Sequence, residues 1–130
     1  MSALDDYLAK ARAALDGVRP QLDDLKVQAN LAQADAKDRI QAGIAKVQQA
    51  QAKAKSQLDE AAKSGQDTWR TTARQAEQTV NDVGDQLQQV ADQVQRSVSA
   101  AAPAARRAWT AFLDEWNRDR GDRQHLLDED

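Results

Sequence analysis

The chain has 130 residues, a net charge of −3 and no cysteine, so disulfides, thiolate metal sites and thiol catalysis are excluded together. It holds 26 Ala and 17 Gln but only five aromatic residues. Ala, Gln, Lys, Arg and Leu favour helix, whereas a pleated surface needs β-branched and aromatic side chains, so a sheet protein is excluded and an all-α fold is expected.

In chain order, Ser2 and Asp5 have the spacing of a capping box and open a first helix over 3–16. Gly17 then stands where a helix would end, and Pro20 suits the first turn of a second helix, with Asp23 and Asp24 near its positive pole. That second helix is predicted to run to Lys63. Ser64-Gly65-Gln66-Asp67 is the next punctuation, with Gly65 as a stop and Asp67 as a cap. A third helix is expected to reach Ala101, and Pro103 to start a fourth that ends near Asp119. The organisation read from these signals is a short helix within 1–19, a long helical region over 20–101 with a turn near 64–67, an amphipathic helix over 103–120, and a disordered acidic tail over 121–130. Burying alanine removes little apolar area. The expected architecture is therefore an extended rod, a helical hairpin or a coiled coil, and not a compact globule.

Two apolar patterns run through these elements. Leu4, Leu8, Ala11, Leu15, Val18, Leu22, Leu25, Ala29, Ala32 and Ala36 alternate spacings of four and three, the seam of a coiled coil, with Leu31 off the line. Farther on, Leu25, Ala36, Val47, Leu58, Trp69, Val80 and Ala91 recur every 11 residues, with Val83, Leu87, Val94 and Val98 in parallel rows. Three turns at 3.67 residues per turn make such a row a nearly straight stripe. The stripe keeps its phase through Gly65, which favours one bent helix; a hairpin turn at the same place would pair the second and third helices antiparallel.

The sharpest local feature is Trp109, Phe112, Leu113 and Trp116, spaced as one face of a helix and holding three of the five aromatic residues. Arg106, Arg107, Arg118 and Arg120 flank it. Trp prefers a water–lipid boundary and Arg reaches outward to head groups. The face reads as an anchor for an interface or a helix-accepting groove, with folding back onto the long helices as the competing reading. Lys37, Arg39, Lys46, Lys53, Lys55 and Lys63 form a basic run that reads as a solvated face or a contact for anionic head groups. With no aromatic residue among them, stacking on single-stranded nucleic acid is not expected. His125 has no cysteine or second histidine to complete a zinc site, the adjacent pairs Asp23-Asp24 and Asp59-Glu60 diverge on a helix, and no glycine-rich phosphate loop exists. No catalytic residue, metal or cofactor is therefore expected.

The stretch from Gln48 to Gly65, QQAQAKAKSQLDEAAKSG, resembles the Ala/Lys/Gln/Glu-rich 11-residue repeats of late-embryogenesis-abundant-like and exchangeable apolipoprotein-like proteins. In size, Ala/Gln richness and lack of a span the chain is also similar to bacterial phasins, which coat polyester granules. These resemblances imply reversible coating of a hydrophobic surface, or helix formation on drying. The expected function is a non-catalytic protein that coats a granule, droplet or membrane face. The alternatives are an oligomeric coiled-coil partner protein and a desiccation-protective helix. No run approaches the ~20 apolar residues of a membrane span, and the first residues lack the basic and apolar regions of a signal peptide. A cytoplasmic protein, peripheral to a granule or membrane surface, is expected.

Overall fold

The computed structural model describes residues 2–65, 68–97 and 103–128. Four helices account for nearly all of them: α1 (Ala3–Ala29), α2 (Ala34–Lys63), α3 (Trp69–Ser97) and α4 (Pro103–Asp128). They run up, down, up and down and pack against one another as a bundle, which corrects the expectation of an extended rod without a compact core. Among the described residues, helices α2 and α3 form the most extensive pair, α1 lies across both, and α4 packs on α1 and α3 but not on α2. The hairpin alternative is the one formed. Ser64 Oγ and Thr72 Oγ1 are 3.4 Å apart across the turn, and farther along the pair a Cβ built on Gly43 would lie 2.6 Å from Val90 Cγ2. The Val90 side chain thus occupies the space that a side chain at 43 would take, and Gly43 leaves it free at the cost of some helix propensity.

The heptad seam explains why α1 does not stop where a break is predicted. Leu4, Leu8, Leu15, Val18, Leu22 and Leu25 are all buried, and they fall on both sides of Gly17 and Pro20. Burial of one continuous apolar stripe outweighs the two local breakers. Pro20 faces solvent, and Gln51 Nε2 donates to Leu15 O at 2.7 Å in the turn just before the proline disturbs the ladder. The short helix expected within 1–19 is thus one long helix to Ala29. Its start is as read, with the Asp5 N–H donated to Ser2 Oγ at 3.2 Å.

The break falls instead at 30–33. Asn30 closes α1 with its N–H turned back to Val27 and Gln28 carbonyls, and Gln33 opens α2 without a side-chain cap. Leu31, the leucine off the seam, is 71% exposed there. The residues of the 11-residue row are buried, apart from half-buried Ala36. The row crosses two turns, however, so it is shared among three helices and is not one stripe along a rod. Helix α4 continues to Asp128, where a disordered tail is expected, because Arg123 and Leu127 are buried against the rest of the bundle. The Asp67 cap, Val98 and the helix end at Ala101 lie outside the described residues.

Candidate functional site

The feature that sets this bundle apart from a plain helix packing is how α4 is seated. Leu113 is half-buried, Trp109 and Phe112 are half-buried, and Trp116 is 6% exposed. Trp109 stacks on Phe112 at 5.4 Å between centroids, and Phe112 meets Trp116 at 5.7 Å. The aromatic face therefore folds back onto the protein, completely at Trp116 and incompletely toward Trp109. Its seat is made of small residues. Ala13, Ala14 and Gly17 of α1 line a cleft of about 280 Å³ together with Phe112, Glu115, Trp116, Arg118, Asp119 and Asp122 of α4. On α3, a Cβ added to Gly84 would stand 2.7–2.8 Å from three atoms of the Trp116 indole. The indole thus occupies the space that a side chain at 84 would take.

Below Trp116 a knot of polar groups ties the C-terminal half of α4 to α1 and α3. The Arg123 guanidinium is fully buried and donates from Nε to Glu77 Oε1 at 2.8 Å and from Nη1 to Asp119 Oδ2 one turn back. Its Cζ sits 5.6 Å from the centroid of the Trp116 ring, within cation–π range. Tyr7 Oη donates to Glu77 Oε1 and to the Ala73 carbonyl, each at 3.1 Å. Arg74 adds a bond to the Leu127 carbonyl at 3.2 Å, and Lys10 pairs with Asp122 at the surface. One carboxylate thus receives both a phenol and a guanidinium, and the buried charge of Arg123 is matched on two sides. Sequence reasoning missed this knot. Tyr7, Glu77 and Arg123 are far apart in the chain, and the usable signal is an arginine at the seven-residue step from Trp116 on the apolar face of α4.

Burial and the neighbouring Glu77 carboxylate push the Tyr7 phenol above its ordinary range. Above pH ~10 the unfolded phenol ionises while the folded one stays protonated, so stability is lost as pH rises beyond that point. Tyr7 is the one tyrosine of the chain, so phenolate absorbance reports it alone. Native protein is expected to show no phenolate at pH 10.5, whereas a Tyr7→Phe variant should lose this contribution to the alkaline slope of stability. A phenol that titrates normally in the folded protein would contradict the burial of this group.

The basic run is spread over α2, with Lys37 half-buried and the other five cations exposed; Lys55 pairs with Asp16 of α1 at 3.6 Å. Arg107, Arg118 and Arg120 are exposed on α4, and the Arg106 side chain lies outside what is described. His125 is exposed near the end of α4. Among the described residues no three His, Cys, Asp or Glu side chains converge as a metal site, and no helix is long and apolar enough to cross a membrane. In comparison with known proteins, no family model matches the chain, and no curated protein or solved structure is detectably similar to it.

Proposed function

We propose that the protein is a non-catalytic amphipathic bundle that docks on an apolar, lipid-like surface by letting α4 swing from its seat. The observation that supports this reading is the graded burial of the aromatic face. Trp116 is enclosed, while Trp109 and Phe112 remain half-exposed, Phe112 in a cleft whose α1 side is alanine and glycine. Small residues offer little area, so the aromatic side chains gain less from this seat than a leucine-lined groove would give them. A lipid-like surface covers the whole face and leaves Arg107, Arg118 and Arg120 free to reach toward head groups. Helix α4 can leave without disturbing the α2–α3 pair, because among the described residues it packs only on α1 and α3. The Ala/Lys/Gln/Glu-rich stretch from Gln48 to Gly65, read as resembling apolipoprotein-like repeats, would suit such coating. The alternative of a coiled-coil partner protein loses its main surface, since the Leu4–Leu25 seam is occupied within the chain.

Flotation with triolein droplets stabilised by phosphatidylcholine tests the reading. The protein is expected to float with the droplets, and Trp109→Ala with Trp116→Ala should weaken binding at least tenfold, since each ring brings more than the ~1.4 kcal/mol that a factor of ten requires. Equal flotation of the double variant, with helix content checked by circular dichroism, would remove the aromatic face from the mechanism.

A further inference from the structure

Among the described residues, one flank of the α2–α3 pair is covered by no other helix. Helix α2 reaches α1 through Gln51, Lys55 and Asp59, and α3 reaches α1 and α4 through Ala73, Glu77 and Gly84. At about 100° per residue, Arg39, Lys46 and Lys53 lie in one line on the side of α2 turned away from α1. Asp82 and Asp85 lie on the same free side of α3, with Asp92 toward its edge. All six are exposed.

The two rows are matched in level as well as in sign. Gly43 faces Val90 and the helices are antiparallel, so Lys46 comes level with Leu87, Lys53 with Val80 and Arg39 with Val94. Asp85, Asp82 and Asp92 each stand two residues from those levels, about 3 Å along the axis. Yet among the described residues no ion pair joins α2 to α3, although two join α1 to α2. Among the described residues the complementary charges are in register and unpaired.

We propose that this flank is the contact surface for a second copy of the chain, joined face to face about a two-fold axis parallel to the helices. Such an axis lays α2 of one copy on α3 of the other without changing level. Lys46 then meets Asp85 of the second copy, Lys53 meets its Asp82, and the same contacts recur in reverse, as a self-complementary interface requires. Exposed Gln49 on α2 and Gln89 on α3 add polar groups to this face, so the charges set orientation and the dimer is reversible and salt-sensitive. This surface lies away from α4, so the dimer leaves the aromatic face free and stands independently of the coating reading.

The test is sedimentation equilibrium of the full chain with charge-swapped variants. At ~100 µM, well above the Kd of a micromolar interface, wild-type protein should be dimeric at low salt and at least tenfold weaker in association near 1 M salt, where the screening length falls to ~3 Å. Lys46→Glu with Lys53→Glu should be monomeric, because both facing rows are then acidic. Asp82→Lys with Asp85→Lys should be monomeric for the opposite reason. Mixed in equal amounts, these two variants should form a one-to-one dimer. A wild-type monomer at low salt would overturn the proposal, as would two helical variants that remain monomeric when mixed, or a dimer that neither swap disturbs.

Discussion

Replacing Arg123 with alanine is expected to cost about 3–5 kcal/mol of stability, the loss that follows when one member of a buried ion pair is removed. The guanidinium is fully enclosed, and Glu77, 4% exposed, accepts its bond from Nε. Without Arg123 the Glu77 carboxylate keeps the Tyr7 hydroxyl but has no positive charge beside it. Trp116 loses the cation over its ring as well. Urea unfolding reads the cost directly. The companion variant, Arg123→Met with Glu77→Leu, replaces the paired charges by apolar groups of similar length, and most of the loss should be recovered. Asp119, already partly solvated, can turn to water in that background. An Arg123→Ala protein within 1 kcal/mol of wild type would mean that the knot does not hold α4 in place.

Replacing Gly84 with leucine should unseat α4 while leaving the other three helices packed. Even a single Cβ at that position meets the indole of Trp116 at 2.7–2.8 Å, and a ring wedged between helices cannot bend away as a flexible chain end could. In the interior of an isolated helix the substitution would be favourable by about 1 kcal/mol, because glycine is a poor helix former. The two effects are thus opposed, and overpacking, at about 1–3 kcal/mol or more, decides the sign. Fluorescence from the tryptophans should shift to the red as Trp116 and Trp109 gain water, with helix content nearly unchanged. Binding to phosphatidylcholine-stabilised droplets should rise, because the variant no longer has to free its aromatic face first. Unchanged fluorescence, or weaker droplet binding by a protein with normal helix content, would speak against release of α4 as the route to the surface.

Much of the helical content is legible in the sequence, and so are the break at Ser64-Gly65, though the phase of the stripe favours a bend there over the hairpin that forms, and the buried identity of the Leu4–Leu25 seam. The boundaries of α1 are not. Gly17 and Pro20 are strong local signals, but a seam that continues in phase past both is a stronger one, because tertiary burial supplies most of the stability of a helix. The true end at Asn30 was marked by Leu31 falling off the seam, a small irregularity in an otherwise regular pattern. The 11-residue row misleads in a different way. Its phase survives a turn because Leu58 and Trp69 both point into the same core from two different helices. The aromatic face is visible as a helical spacing, but its seat is not. That seat depends on Gly84 and Gly17 being beside Trp116 and Phe112, and on an arginine meeting a glutamate from another helix. Those are facts of packing between segments distant in the chain, which periodicity along one segment does not carry.

The measurement that tests the central claim most directly is a pair of distances between spin labels, taken free in solution and on droplets. The chain has no cysteine, so labels go only where they are placed. One pair joins exposed Asn117 of α4 to exposed Gln88 of α3, and a reference pair joins exposed Gln48 of α2 to the same Gln88. On binding, the distance from α4 to α3 should lengthen and broaden, while the distance from α2 to α3 stays as it is. A droplet-bound protein in which the first distance is unchanged would contradict the account, because the surface would then be held without α4 leaving its seat.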